Sequence, residues 1–333
     1  MKRIFLGGDT DFIIGDLTDA GVTRPSLAKN SLARWSRAKS YSPGAVPSFL
    51  AFDKKRSVLH VVLEGSDQIV SYDISTDVPR WLGAVDCPGG PCHLSIAEDA
   101  SFAFASCYGG GEAHQYRILS DGRLSPRIRS VSVGRNTHSV VQVPGRPLFW
   151  AASLGDDLME ELELTPGGGL TRRRRWRTPQ GMGPRHTAFS PSGRFAYVVG
   201  ECDASLHILD VETLTEVAVH PLLNRSFQAG DSGADVHLSA DGKLLYASSR
   251  GFDALSIFRC ADESRLEFLE RISSQGEIPR SFSLVGDSLV VVANQESHQL
   301  SVFGRDAATG LLSPEGSFGQ GQRIYWAGAS GSS

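Results

Sequence analysis

The chain alternates short apolar runs with brief turns along nearly its whole length. A clear unit spans residues 186 to 201, where a short apolar strand, the turn Ser190–Gly193 and a second apolar strand follow one another. A third apolar run follows at residues 206–209. Residues 235 to 250 repeat the plan around the turn Ala240–Lys243. Short apolar runs bounded by Gly, Pro, Asp and Ser are typical of β-strands joined by hairpins.

The unit recurs at a near-constant interval. Aligned on the turn, its first position is occupied in successive copies by Phe49, His93, His138, His186, Asp235 and Ser281. Successive copies are 44 to 49 residues apart, and a seventh, degenerate copy fits at residues 322–326. A period of about 40–50 residues with three or four strands per copy is typical of propeller blades. The sequence therefore predicts an all-β fold, a seven-bladed β-propeller with four-stranded antiparallel blades.

The two ends of the chain predict how the ring closes. An N-terminal strand at residues 4–6 or 12–14 precedes the first full copy. We expect this strand to complete the blade begun at the C-terminus, because a closed ring leaves no free sheet edge. Residues 1–333 then form a single propeller domain, and we expect the small, polar tail at residues 328–333 to be frayed.

Composition narrows the function classes. The net charge is −4 with both signs mixed along the chain, which indicates neither a nucleic acid nor an anionic membrane as partner. No run approaches the roughly 18 apolar residues of a membrane span. The apolar run after Met1-Lys2-Arg3 has only three residues, which is too short for a signal peptide.

The cysteines favour a reducing compartment. They number five, an odd count, and none forms a CxxC pair. Together with the missing signal peptide, this predicts free thiols in the cytoplasm.

Rotation about the propeller axis predicts where the repeat positions meet. Equivalent positions are related by that rotation, and the innermost strand of each blade lines the central channel. A second position, fifteen residues after the first, follows the returning second strand and so lies at the same mouth. It is occupied by Glu64, Tyr108, Ser153, Glu201, Arg250 and Glu296. Arg185 and Arg280 immediately precede the first position in their blades.

Such residues can be structural, because His and Asp before an inner strand can bond backbone amides and tie blades together. The charge at these positions varies from blade to blade, which favours a functional site over a uniform structural role. Arginine binds carboxylate or phosphate in a bidentate fork and stabilises a developing oxyanion. A histidine exchanges protons near neutral pH, and Glu201 could hold or activate a water. These groups suit the hydrolysis or closure of a lactone ring in an anionic substrate.

Several other chemistries are disfavoured. No GxSxG nucleophile elbow or Cys–His signature is present. A metal held by His93, His138, His186 and Glu201 is geometrically possible, but the nearby arginines disfavour a bound cation, so we expect the protein to use no metal and no cofactor. The run Arg172–Arg177 follows a Gly-rich hairpin, and we expect it on an outer-strand edge, where charge discourages aggregation.

The blade motifs resemble a known family. They are Pro91-Cys92-His93-Leu94-Ser95, Cys107-Tyr108-Gly109-Gly110-Gly111, Gly183-Pro184-Arg185-His186 with Gly200-Glu201, Ala234-Asp235-Val236-His237 with Ser249-Arg250, and Ile278-Pro279-Arg280. Over residues 46–320 the chain resembles the lactonase family of seven-bladed propellers, which includes 6-phosphogluconolactonases and 3-carboxy-cis,cis-muconate lactonizing enzymes. The resemblance implies metal-independent lactone chemistry at the channel mouth.

The resemblance and the repeat register together give a set of candidate site residues. The catalytic candidates are His138, Arg185, Glu201 and Arg250. The substrate-binding candidates are His93, Tyr108, His186, Asp235, Arg280 and Glu64.

Three functions follow as hypotheses. The first is hydrolysis of an anionic sugar lactone, above all 6-phosphogluconolactone. The second is a carboxymuconate-type intramolecular lyase acting on a dicarboxylate. The third is a non-catalytic propeller that binds a metabolite or a partner, since the fold by itself hosts many functions. In each case the pattern indicates a small-molecule or partner site at the channel, and it specifies no oligomeric state.

Overall fold

A computed structural model describes residues 2–18 and 34–329 of the chain. Within these ranges it contains twenty-eight β-strands, two single-turn 3-10 segments at Glu64–Ser66 and Leu154–Asp156, and no α-helix. The expectation of a frayed tail is wrong for its first two residues, because Gly328 ends the last strand and Ala329 is buried. The part of the tail at residues 330–333 lies outside the described residues. Over the described ranges, no helix has the length and apolar character needed to cross a bilayer.

The strands are numbered in chain order and grouped by blade. The chain opens with β1 (Lys2–Gly8), β2 (Phe12–Thr18) and β3 (Arg34–Tyr41). Blade 1 contains β4 (Pro47–Asp53), β5 (Val58–Leu63), β6 (Gln68–Asp73) and β7 (Arg80–Asp86). Blade 2 contains β8 (Pro91–Ile96), β9 (Phe102–Cys107), β10 (Glu112–Arg117) and β11 (Arg129–Ser132). Blade 3 contains β12 (Thr137–Gln142), β13 (Leu148–Ser153), β14 (Leu158–Leu164) and β15 (Leu170–Arg177).

The second half of the chain repeats this arrangement. Blade 4 contains β16 (Pro184–Phe189), β17 (Phe195–Gly200), β18 (Ser205–Asp210) and β19 (Thr215–Pro221). Blade 5 contains β20 (Ser232–Leu238), β21 (Leu244–Arg250), β22 (Ala254–Asp262) and β23 (Arg265–Ser273). Blade 6 contains β24 (Pro279–Val285), β25 (Leu289–Asn294), β26 (Gln299–Arg305) and β27 (Leu312–Gly319), and the last strand is β28 (Ile324–Gly328).

These strands form seven four-stranded antiparallel sheets arranged in a ring, which confirms the predicted propeller. Six sheets are built from consecutive strands, while the seventh has the order β28-β1-β2-β3. The C-terminus therefore supplies the innermost strand of blade 7 and the N-terminus supplies its three outer strands. The predicted closure is confirmed, and the N-terminal contribution is three strands instead of one.

The core lies between neighbouring blades, where apolar side chains from facing sheets pack together. At the closure, Ile324 and Ala327 of β28 join Ile4 and Leu6 of β1 in one buried cluster. The second strands of blades 1, 2 and 3 are buried along their entire length. Blades buried on both faces hold the inner strands in fixed positions around the channel.

Strand β15 carries the arginine run and is the outermost strand of blade 3, as predicted. Its guanidinium groups neutralise two buried carboxylates on the neighbouring strand β14. Arg172 Nε lies 2.9 Å from Glu160 Oε2, and Arg174 Nη2 lies 2.7 Å from Glu161 Oε2. The run is therefore occupied in structural ion pairs and is not a free polyanion-binding surface.

Candidate active site

A β-bulge near the start of each inner strand shapes the channel mouth. The register of inner and second strands shifts at this point in blades 1 to 6, for example between Pro184 and Thr187 in blade 4. A bulge places two residues opposite one and re-aims side chains, which is common beside functional sites. In blade 4 it leaves adjacent Arg185 and His186 both buried, with Arg185 Nη1 3.4 Å from His186 Nδ1.

Glu201 lies between two arginines at this mouth. It follows β17 directly and is anchored by its backbone N–H, which donates to Gly183 O at 2.8 Å. Glu201 Oε2 lies 2.9 Å from Arg185 Nε and 2.9 Å from Arg250 Nη2. The Arg185 Nε–H is too poorly aligned for a hydrogen bond, so this contact is an ion pair. The Glu201 side chain is 23% exposed and that of Arg185 only 2%, so the carboxylate is open to solvent at the mouth.

The electrostatics of this triad follow from burial and mutual proximity. Burial and the neighbouring Arg250 charge lower the pKa of Arg185 to about 9, which leaves it cationic at neutral pH. Burial opposes ionisation of Glu201, but the charges of Arg185 and Arg250 outweigh it and lower the pKa of the Glu201 carboxyl. The triad therefore carries two positive charges and one negative charge in water-poor surroundings.

Three histidines predicted from the repeat register meet at the channel. The ring centroid of His186 lies 5.1 Å from that of His138 and 5.5 Å from that of His93. The ring centroid of Tyr108 lies 5.8 Å from that of His138, and the ring centroid of Phe49 lies 4.5 Å from that of His93. The inner strands thus bring together side chains that are distant in the sequence, such as His93 and His186, which are 93 residues apart.

Asp235 fixes the orientation of His186. His186 donates from Nδ1 to Asp235 Oδ1 at 2.7 Å, and His237 donates from Nε2 to Asp235 Oδ2 at 3.2 Å. The backbone N–H groups of Val236 and Phe282 donate to the same carboxylate at 3.0 and 3.2 Å. With four donors, this buried carboxylate is fully satisfied, and His186 is held as the tautomer with Nε2 unprotonated.

Burial keeps these imidazoles neutral. Burial and the Arg185 charge lower the pKa of His186 to about 4. Burial and the charges of Arg185 and His186 hold the pKa of His138 well below the ordinary imidazole value, and burial does the same for the pKa of His93. The Nδ1 atoms of His138 and His93 have no hydrogen-bond partner among the described residues. At neutral pH, His138 is therefore a neutral imidazole, and the charges of Arg185 and Arg280 help to keep it so.

The remaining two candidates lie at the edge of this group. Arg280 packs its guanidinium over the Tyr325 ring, 5.6 Å from the centroid, and makes no salt bridge within the described ranges. Its charge also helps to lower the pKa of Glu201 against the opposing effect of burial, after the charges of Arg185 and Arg250. Glu64 starts the 3-10 turn after β5, where its backbone N–H donates to Val46 O at 3.0 Å. Within the described ranges it forms no hydrogen bond or ion pair with the triad or the histidines.

Two cavities border the site. A cavity of about 470 Å³ lies beside Tyr108, between the Gly109–Gly111 loop and the start of blade 3. A second cavity of about 460 Å³ is lined by Phe49, His93, His186, Asp235 and Trp326, and by the turns at Ser190 and Ser239. Those turns join first and second strands, so this cavity opens at the opposite mouth of the channel. The histidine layer separates it from Glu201 and Arg250, which do not line it.

Comparison with known proteins decides the family. The model of the family "Lactonase, 7-bladed beta-propeller" matches residues 11–326. A 6-phosphogluconolactonase of Pectobacterium carotovorum is 30% identical over 293 residues, which cover 85% of this chain and 88% of the relative. A 6-phosphogluconolactonase of Bacillus subtilis is 27% identical over 288 residues, which cover 80% and 82% of the two chains.

The chain belongs to the lactonase family of seven-bladed β-propellers.

A solved structure shares the whole architecture of this lactonase-family propeller. The periplasmic gluconolactonase PpgL of Pseudomonas aeruginosa superimposes with a TM-score of 0.83 at 26% identity, covering 97% of each chain. The resemblance deduced from the blade motifs is thereby confirmed.

Sequence reasoning missed two contributors to the lactonase-family site. His237 bonds Asp235, and it stands two residues further along β20, which places it on the same sheet face. This spacing of two residues from Asp235 is visible in the sequence and could have identified His237. The ring centroid of Trp326, in β28 of blade 7, lies 6.1 Å from that of Phe49 in blade 1. It belongs to the degenerate seventh copy, where the repeat pattern is too weak to assign a register.

The neutral histidines predict an order of titration. His207 contrasts with His186, since its hydrogen bonds to Asp203 and Glu216 outweigh burial and raise its pKa. As the pH falls, His207 should take up a proton first and His186 only near pH 4. Long-range ¹H–¹⁵N spectra of the imidazoles measure both transitions in one sample. A His186 transition near the unperturbed value of about 6.5 would contradict the burial of this group.

Proposed function

We propose that this protein is a lactone hydrolase acting on an anionic sugar lactone, with 6-phosphogluconolactone as its substrate. One observation carries the proposal: at a partly open channel mouth, Glu201 is clamped at 2.9 Å by two guanidinium groups. The buried His138 lies on the inner strand of the neighbouring blade, with its ring centroid 5.1 Å from that of His186, the residue next to Arg185. The family and the names of its 6-phosphogluconolactonase relatives support the same activity.

His138 is the proposed base. A water molecule attacks the lactone carbonyl carbon while its proton passes to the His138 imidazole, which is neutral at physiological pH because burial lowers its pKa. The tetrahedral adduct then collapses, the bond from the carbonyl carbon to the ring oxygen breaks, and the imidazolium returns the proton to that oxygen. The product acid ionises to a carboxylate, so one proton is released per turnover.

The arginines are the proposed oxyanion stabilisers. Negative charge develops on the carbonyl oxygen as water adds, and a preorganised cation in a water-poor site stabilises it strongly. Arg250 is better placed for this than Arg185, because its side chain is 12% exposed while that of Arg185 is 2% exposed. Arg185 donates to Ala234 O and pairs with Glu201, so it serves as the fixed support for the carboxylate.

Arg280 is the proposed contact for the substrate's anionic group. Its guanidinium is braced by the Tyr325 ring, and within the described ranges no carboxylate pairs with it. Arginine forms bidentate hydrogen bonds with phosphate and with carboxylate. A free, braced guanidinium at the edge of the triad would distinguish a phosphorylated lactone from the neutral sugar lactone.

We also propose a cytoplasmic location and a role in sugar metabolism. The five cysteines form no disulfide, which is typical of proteins in reducing compartments. Cell fractionation tests the location. Recovery of the protein from the periplasm, the compartment given for the similar gluconolactonase of Pseudomonas aeruginosa, would contradict it.

Removing the proposed base or oxyanion contact should abolish most turnover. His138→Gln should lower kcat on 6-phosphogluconolactone by about 10²–10⁴-fold, because proton transfer in the transition state is lost. Arg250→Gln should lower it by about 10²–10³-fold, because an oxyanion contact is lost. Proton release in a pH-stat, corrected for spontaneous hydrolysis, measures both.

The matched control is His220→Gln, since His220 lies in the outermost strand of blade 4. It should retain native activity. A His138→Gln protein that melts like the native protein and hydrolyses the lactone at the native rate would rule out the proposed mechanism. Turnover of a carboxymuconate without turnover of the sugar lactone would assign the intramolecular-lyase activity instead.

Arg280→Gln tests the substrate class separately. It should lower kcat/KM for 6-phosphogluconolactone by about 10–100-fold, mainly through KM, because a charge-assisted contact of about 1.5–3 kcal/mol is lost. The kcat/KM for unphosphorylated gluconolactone should stay near its native value. Equal losses for both substrates would show that Arg280 does not contact the phosphate.

A further inference from the structure

Two cysteines and a histidine meet at the seam between blades 1 and 2, outside the site described above. Cys87 follows β7, Cys107 ends β9, and His114 lies in β10. Cys107 faces Glu112 in the strand register, and His114 is two residues beyond Glu112, so all three point to the same sheet face. Cys87 reaches that face from the loop entering blade 2. The side chains of Cys87, Cys107 and His114 are completely buried.

The distances between their donor atoms fit a tetrahedral metal ion. The two Sγ atoms are 3.7 Å apart, and His114 Nδ1 lies 3.6 Å from Cys87 Sγ and 3.3 Å from Cys107 Sγ. With Zn–S near 2.3 Å and Zn–N near 2.0–2.1 Å, a tetrahedral site has S···S edges of about 3.8 Å and S···N edges of about 3.6 Å. The three atoms therefore already define one face of a zinc tetrahedron.

The histidine is oriented as a metal ligand. His114 Nε2 lies 2.9 Å from Glu112 Oε2, and a carboxylate can only accept, so Nε2 carries the proton. The unprotonated Nδ1 then faces the two sulfurs. A carboxylate that holds the far nitrogen of a ligating histidine is the usual arrangement around protein zinc ions.

The charges around the group balance with a divalent cation present. Two thiolates compensate a dication, and Arg127 compensates Glu112. Arg127 Nη1 lies 3.1 Å from His114 Nε2 and 3.5 Å from Nδ1, so it lies over the ring instead of bonding one nitrogen.

A cavity lies next to this group, although none of the three residues lines it. A cavity of about 510 Å³ lies at the blade 1–blade 2 seam and is lined by Asp86, Pro88, Pro126 and Arg127, among others. Pro88 adjoins Cys87, and Arg127 covers His114. An ion or a water molecule from this cavity therefore reaches the three donor atoms only when Pro88 or Arg127 shifts.

We propose that Cys87, Cys107 and His114 bind one Zn²⁺ ion, with a solvent oxygen from the seam cavity as the fourth ligand. The ion fixes the loop after β7 against the loop after β9. These loops already touch, since Gly110 N–H donates to Gly89 O and Tyr108 N–H donates to Gly90 O, both at 2.8 Å. Because Tyr108 follows Cys107 directly, the ion stabilises a segment that borders the channel mouth.

Cobalt serves as the spectroscopic probe on the full-length protein. The protein is reduced with a phosphine, stripped with a chelator and titrated with Co²⁺ under anaerobic conditions. One equivalent should produce a near-ultraviolet thiolate-to-cobalt charge-transfer band with tetrahedral visible bands, and Zn²⁺ should displace it. The same Zn²⁺ addition should raise the Tm of the native protein, because a ligand that binds the folded state stabilises it.

Cys87→Ser should lose the charge-transfer band, whereas Cys202→Ser, which changes an exposed cysteine, should retain it. If Cys87→Ser fails to fold, the titration of the native protein still decides. Absence of the band in the reduced, folded native protein would overturn the proposal. So would a band that persists in Cys87→Ser. A Cys87–Cys107 disulfide in protein purified without reductant, with no cobalt uptake after reduction, would identify a redox pair instead.

Discussion

Antiparallel pairing between β1 and β28 joins the two ends of the chain, and the geometry of the whole ring depends on it. Phe5, Leu6 and Gly7 pair with Gly328, Ala327 and Trp326. The pairing removes the free edges that an open ring of sheets would expose. It also completes blade 7, so the six other inner strands are held at a fixed radius around the channel. Only at that radius do side chains from blades 2, 3, 4 and 5 come within contact distance of one another.

The channel mouth buries the cationic side chains of Arg185 and Arg250, whose charges must be compensated. Removing a charge from water costs several kcal/mol unless an opposite charge and hydrogen bonds compensate. Glu201 compensates Arg185 and Arg250, while Asp235 accepts bonds from two histidines and two backbone amides. The cost of protonating the central imidazoles keeps them neutral. The same desolvation that lowers their pKa values gives the mouth a base next to cations, which is the combination that ester hydrolysis requires.

Much of this arrangement could be predicted from the sequence because the fold is periodic. The interval between His93, His138 and His186 fixes their rotation about the axis, and the +15 spacing places Glu201 at the same mouth as Arg185. The bulge in each inner strand could not be predicted, since it is a property of hydrogen-bond register and leaves no trace in hydrophobic periodicity. It explains how Arg185 and His186, adjacent in sequence, are both buried at the channel.

Features that occur at only one seam between blades could not be predicted from the repeat pattern either. Cys87 and Cys107 occupy non-equivalent positions of the repeat, so alignment of the blades does not bring them together. His114 joins them only because β10 pairs with β9 in one particular register. The cavity at the opposite mouth depends in part on Trp326, which lies in the copy with the weakest repeat signal.

A crystal structure of the protein with 6-phosphogluconate, the product of the proposed reaction, tests the central claim most directly. We predict that the new carboxylate lies against Arg250 at the mouth formed by the starts of the inner strands, with the phosphate at Arg280. Product bound instead in the cavity between Trp326 and the Ser190 turn would contradict the account, because Glu201 and Arg250 would then have no part in the chemistry.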